Sequence, residues 1–205
     1  MRVWPVRVID HNKEQKDEGS PITNTTDIST NRIRDIETRA DLADIEVIPS
    51  STRAQEKYLN IVKSAAEEVL WIFPTTNAFI RQDKIGAIQL AQQAAKERNV
   101  KVRILVPASS LIDQKVQQLK EYCPDHVIDV KYIEQMTETK ATILVVDRKA
   151  SLVMELRDDS KTTFFEAIGL STYSNSRAGV LSYVAIFENF WKQSELYHSL
   201  NYIKR

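Results

Sequence analysis

The stretch TKATILVVDRKASLVMELRDD, residues 139 to 159, decides how this chain is read. An apolar run from Ile143 to Val146 ends in Asp147, turns through Arg148 and Lys149, and resumes from Ser151 to Leu156. Two branched-rich segments separated by a short charged turn predict adjacent strands with a carboxylate at the end of the first.

Outward from this pair, helical and strand patterns alternate. Tyr58, Leu59, Val62, Ala65 and Ala66 give a helical face that runs into VLWIF, an apolar run of strand composition. PTTNAFIRQDK closes that strand, and Ile85, Ile88, Leu90, Ala91, Ala94 and Ala95 mark another helix. VKVRILVP predicts a strand stopped by Pro107, LIDQKVQQLKEYC a helix, and HVIDVKYIE a strand. IEVIPSS, residues 45 to 51, predicts a strand ended by proline. Strands alternating with helices of about a dozen residues imply crossover connections and a sheet covered on both faces. The fold class is therefore α/β, with a mainly parallel, mixed sheet flanked by helices and a long C-terminal helix.

Three segments are expected: a flexible tail over 1–32, an α/β domain over 33–181 and a terminal helix over 182–205. DHNKEQKDEGSPITNTTDISTN, residues 10–31, has too little apolar surface to offset the entropy of ordering. Beyond it, Ile33, Ile36, Ala40 and Ala43 form the stripe of a short amphipathic helix. At the other end, Ile186, Phe190, Gln193, Tyr197 and Leu200 recur at four-three-four-three spacing, with Phe187 and Trp191 beside them. That seam fits a helix packed on its own sheet, or one that pairs between chains or continues into another domain.

The chain holds 205 residues, enough for one ordinary domain and a tail. Basic and acidic residues balance at 28 each, which argues against a global field for nucleic acid or an anionic membrane. One cysteine, Cys123, leaves no disulfide framework and fits a reducing, cytoplasmic compartment. Runs such as VLWIF fall far short of a membrane span, so direct membrane insertion is not expected.

The strand pair at 139–159 resembles the second part of a phospholipase D half-motif, H-x-K-x4-D. With Asp147 as the aspartate, Lys140 stands where the histidine nucleophile would be and Thr142 where the phosphate-holding lysine would be. A protonated lysine and a neutral threonine cannot replace that pair. Met154 and Glu155 occupy the positions of the expected glycine and serine. His11, His126 and His198 share no motif, four glycines leave no phosphate-cradling loop, and no metal ligand set or cofactor is expected. Cys123 is read as a packing residue, and SNSR at 174–177 as a helix cap, with an anion-binding turn as the alternative. No enzymatic activity is expected on these grounds.

A broader resemblance rests on IRDIETRADLADIEVI, KSAAEEVLWIFPTTNAFIRQDKIGAIQLAQQAAKERNVKVRILVP, TKATILVVDRKASLVMELRDD and EAIGLSTYSNSRAGVLSYVAIFENFWKQSELY. These phrases, spanning about residues 33–202, resemble the cytoplasmic sensor region of archaeal multi-domain histidine kinases. That resemblance implies a single phospholipase D-like half, a topology also used by effector-binding parts of sugar-responsive archaeal transcription regulators. It implies a signalling role, with a small ligand or protein partner upstream and a kinase dimerisation domain or homodimer downstream. The phosphoacceptor helix and ATP-binding boxes of such kinases have no counterpart here.

Ligands in open α/β sheets collect where strands end and helices begin. Candidate ligand-binding residues are Thr75, Thr76, Asn77, Glu134, Lys140, Thr142 and Asp147; PTTN is equally an N-terminal cap. Lys140 and Glu155 are either a cross-strand pair or solvated, and Arg157, Asp158 and Asp159 form a charged surface turn. The candidate dimer or output helix carries Ile186, Phe190, Tyr197 and Leu200. The partner expectation is a small ligand or protein and no nucleic acid. A transcription-regulator module is the principal alternative, and a divergent phosphodiesterase a remote one.

Overall fold

The computed structural model describes residues 44–121, 127–133 and 140–203. The amphipathic segment expected at 33–43, and the candidate Glu134, lie outside these residues. The chain divides into two units, residues 1–42 and 43–205.

In chain order the second unit runs β1 (Ile45–Ile48), α1 (Ser51–Lys63), β2 (Glu68–Ile72), α2 (Thr76–Lys84), α3 (Ala87–Arg98), β3 (Lys101–Pro107) and α4 (Ser110–Glu121). It continues with β4 (Ile128–Ile133), β5 (Ala141–Val146), β6 (Ala150–Leu156), α5 (Phe164–Ala167), β7 (Ile168–Ser174) and α6 (Arg177–Ile203).

The seven strands form one sheet in the order β1-β7-β6-β5-β2-β3-β4. Only β2–β3 and β3–β4 are parallel; β1–β7, β7–β6, β6–β5 and β5–β2 are antiparallel. The sheet is thus mixed and flanked by helices as expected, but mainly antiparallel rather than mainly parallel, because only β2, β3 and β4 are joined by helical crossovers and the later strands return through short connections. β7 carries no apolar alternation: it reads IGLSTYS, and its hydroxyl-bearing residues conceal a strand that pairs on both sides.

Helices α1 to α5 cover one face. Ala54, Tyr58, Ile61 and Val62 of α1 recur at helical spacing and are buried with Val69 and Trp71 of β2. Ser50 caps this helix by accepting from the Arg53 amide. Between α2 and α3 the chain passes through Gly86 at φ +87°. A Cβ there would meet only the Gln89 side-chain oxygen, at 4.0 Å, so the backbone angle rather than crowding favours glycine. The sequence reading took PTTNAFIRQDK as the segment closing the strand and began the helix at Ile85; the structure makes Thr76–Lys84 a helix of its own, set apart from α3 by the left-handed Gly86.

The opposite face is covered by α6. Val180, Val184, Phe187 and Trp191 pack with Leu70, Ile72, Leu105, Ile143 and Val145. Ser194 is buried as well, so the sheet-facing stripe is 180-184-187-191-194, spaced four-three-four-three. The expected seam through Ile186 and Phe190 lies beside this stripe: Ile186 is 38% exposed, while Phe190 packs partly against the core. Backbone at Tyr197 and Leu200 is helical. The Phe187 and Trp191 rings stack at 5.3 Å, with Arg103 over both and Lys131 over Trp191. The helix starts at Arg177, ahead of the expected 182, because its first turn already serves the core through Val180.

Candidate functional site

Because β5 runs antiparallel to β2, its start lies beside the end of β2, and its end beside the start of β2. Strand directions therefore sort the candidates to two ends of the sheet. The first end carries the segment after β2, with Thr75, Thr76 and Asn77, the start of β5, with Lys140 and Thr142, and the loop after β6. Asp147 closes β5 at the other end. Grouping it with Thr75 assumed that successive strands run the same way, and they do not.

Asp147 is a structural fastener. Its Oδ1 accepts from the amides of Glu67 at 2.7 Å and Glu68 at 2.9 Å, and Oδ2 accepts from Ala66 at 3.0 Å. Its own amide donates to the Glu68 carbonyl at 2.9 Å. Asp147 and Arg148 both sit at positive φ, 53° and 51°, as the tight hairpin between β5 and β6 requires. Lys149 closes that turn on the Val146 carbonyl at 3.0 Å. Nearby, Arg148 pairs with Glu68 and with Glu188 of α6, and Arg103 bridges Glu188 at 2.7 Å and Glu68 at 3.4 Å. The hydrogen bond from Arg103 holds the Glu188 carboxyl below its ordinary value, against partial burial.

At the first end, Thr142 is 1% exposed, opposite Met154, which is itself opposite Ser171. Neither the Thr142 nor the Ser171 hydroxyl finds a partner among the described residues. On the same face Tyr58 lies against Trp71 and Phe164, with ring centres 6.1 and 6.4 Å away. Burial pushes the Tyr58 phenol well above its usual range, opposed by the neighbouring Trp71 N–H. Lys140 is exposed at the strand's start, and its carbonyl accepts from Leu156. Glu155 sits opposite Ala141, so alternation puts it on the other face from Lys140 and the two do not pair.

The best-defined constellation at this end includes two residues that the sequence reading left aside. Arg81 of α2 is 2% exposed and is the one charged residue buried to that degree among the described residues. Its Nη2 meets Asp159 Oδ1 at 2.5 Å, and its Nη1 donates to the carbonyls of Asp159 at 3.1 Å and Lys161 at 2.8 Å. Thr75 Oγ1 donates to Asp159 Oδ1 at 2.9 Å while accepting from the Ala78 amide at 3.0 Å. Asn77 Nδ2 donates to the Asp159 carbonyl at 3.1 Å. Asp159, expected in a surface turn, is thus held by three side chains. The available signal was Arg81 lying three residues after Ala78, on the buried stripe of a short helix.

No family model matches this sequence, and no curated protein matches it. Solved structures do share its fold. NucT from Helicobacter pylori is similar at 15% identity and TM-score 0.56, covering 73% of this chain and 95% of that one. Nuc from Salmonella typhimurium, a phospholipase D family member, is similar at 13% identity and TM-score 0.53, covering 74% and 95%. TrmBL2, described as an archaeal chromatin protein with a novel mode of DNA binding, is similar at 14% identity and TM-score 0.54. The match covers 82% of this chain and 60% of TrmBL2, so the chain spans less than two thirds of that protein. The fold is phospholipase D-like.

Two expectations are corrected by these likenesses. The exclusion of enzymatic activity does not stand, because the fold is shared with a phospholipase D family member. A linear motif tests one arrangement of residues, whereas the fold gathers polar groups from distant segments, as Arg81 and Asp159 illustrate. The exclusion of nucleic acid does not stand either, because a DNA-binding chromatin protein has this fold. Net charge is a sum over the chain and does not describe the local field at any one surface. Among the described residues, no helix is long and apolar enough to cross a membrane.

Proposed function

We infer that residues 44–203 form a ligand-responsive regulatory domain, which binds a small polar molecule at the end of the sheet carrying Thr75, Asn77, Arg81 and Lys140. The observation that carries this reading is Arg81, a guanidinium taken out of water and directed at the loop after β6 rather than into a strand ladder. Burying such a charge is costly unless it secures a specific arrangement, and regulatory sites supply a reason to retain one.

The output is α6. It lies across the strands next to this site, since β2 and β5 contact it on one face while ending or starting at the candidate loops. A ligand that favours one setting of those strand ends also favours one packing of Phe187 and Trp191. Ile186, Phe190, Tyr197 and Leu200 are then the positions through which the helix meets a second copy or a following domain. The sequence resemblance supports a cytoplasmic histidine-kinase sensor as the setting. The likeness to TrmBL2 supports a second setting, a regulator associated with DNA.

A thermal-shift panel of sugars, nucleotides, phosphorylated metabolites and carboxylates on the full chain tests the reading, with hydrogen exchange of α6 followed for each hit. Saturation at 100 times the dissociation constant raises stability by about 2.7 kcal/mol. At least one metabolite is expected to raise the melting temperature and alter α6 exchange. A panel without stabilisation, or stabilisation that leaves α6 unchanged, overturns the reading. Duplex DNA in a mobility-shift assay separates the two settings: retardation supports the DNA-associated one, and its absence the kinase-sensor one.

A further inference from the structure

We propose that Thr75, Asn77 and Arg81 form a binding cradle for a small carboxylate or phosphate monoester, and that the protein's own Asp159 carboxylate occupies it as a built-in competitor. This deepens the regulatory reading above and rests on it for the site's role, though not for its chemistry.

The donors outnumber what the loop uses. A guanidinium offers five N–H groups; Asp159 and Lys161 engage Nη1 and Nη2, and Arg81 Nε, fully buried, has no partner among the described residues. Thr75 and Asn77 add a hydroxyl and an amide from the start of α2, where the helix end favours negative charge. Thr75 and Arg81 therefore point donors at the Asp159 carboxylate and Asn77 at the backbone carbonyl of the same residue, and no other acidic side chain is hydrogen-bonded to any of the three among the described residues.

Host and guest differ in accessibility. Arg81 is 2% exposed, whereas the Asp159 side chain is 34% exposed. The carboxylate enters from the solvent side, and an anion in solution has the same approach. The loop can leave without unravelling, because it carries its own turn: Asp158 Oδ1 accepts from the Ser160 amide at 3.0 Å and hydroxyl at 2.7 Å. A second anchor remains on its far side, where Arg157 donates to the Glu166 carbonyl at 2.9 Å. An anion bridging Arg81 Nε and Nη2 with two oxygens replaces one charge-assisted contact with a bidentate one, which is the stronger geometry for arginine.

The test measures binding of inorganic phosphate and of succinate by calorimetry to the full chain, its D159N variant and R81K/D159N. Asp159→Asn keeps both loop carbonyls and removes the competing charge. One or both probes are expected to bind D159N at least about tenfold more tightly than wild type, and the double variant is expected to lose that gain. Which probe responds identifies the ligand class. Tryptic cleavage after Lys161 is expected to accelerate in wild type when the responding anion is added. Equal affinity in D159N and wild type overturns the proposal, as does a gain retained in R81K/D159N. Asn77→Ala in the D159N background, a change outside the core, is expected to return a smaller part of the gain and guards against misfolding of the arginine variant. Should metabolites stabilise wild type and D159N alike, the regulatory reading stands and the cradle falls. Should phosphate or succinate bind through Arg81 while no metabolite alters α6, the cradle stands and the regulatory reading falls.

Discussion

Asp147 and Asp159 stand at opposite ends of the same sheet, each joining chain segments some eighty residues apart. Asp147 spends its carboxylate on backbone amides at the entry to β2, so its partners are fixed by the strand itself. Asp159 spends its carboxylate on side chains, Thr75 and Arg81, which keep their donors when the loop departs. The first arrangement can only hold; the second can exchange. The difference teaches that a strand-end aspartate, read from sequence as a candidate ligand contact, acquires its role from the kind of donor opposite it.

The largest effect separating the two ends is expected from Arg81→Met. It leaves Asp159 without its charged partner and the Lys161 carbonyl without its donor, the Asp159 carbonyl keeping Asn77, and urea unfolding should show a loss of about 3 kcal/mol. Asp147→Ala removes the acceptor for three amides, with an expected loss of about 2 kcal/mol in the same assay. A double variant, Asp147→Ala with Asp159→Asn, should equal the sum of its singles to within about 0.5 kcal/mol, since the sites share no partner. Strong non-additivity would break the separation drawn here.

A smaller effect sharpens the fastened end through pH. Because Arg103 holds the folded Glu188 carboxyl below its ordinary value, this group's contribution is present above the unfolded value, about 4.3, and is lost as pH falls through the folded one. Glu188→Gln should cost about 1 kcal/mol at neutral pH and flatten the acid limb of the stability profile below about pH 4.3. The smallest change expected is from Arg148→Gly. It relieves a left-handed arginine by about 1 kcal/mol but gives up exposed pairs with Glu68 and Glu188, so the net shift in melting should be near zero.

Much of the architecture was legible in local patterns. The hairpin β5–β6 was visible because two branched runs flank a turn, and α1 because Tyr58 and Val62 repeat at helical spacing. β7 was not, since a strand of Ser, Thr and Gly has no periodicity of its own and gains its hydrogen bonds from β1 and β6. The candidate site divided the same way. Thr75 and Asn77 were named as candidates because a strand followed by a capped helix is a local signal. Arg81 and Asp159 were not, because 78 residues separate partners whose meaning lies in their contact.

What the sequence determined alone is the α/β class and the positions of most elements. These depend on side-chain periodicity and identity, which are properties of short windows. Tertiary structure decided strand direction, and with it which loops share an end; it also selected the stripe of α6 that faces the sheet, and the partner of each charge. Those choices are made by burial and by hydrogen bonds between distant segments, and no window of sequence contains both halves of such a contact.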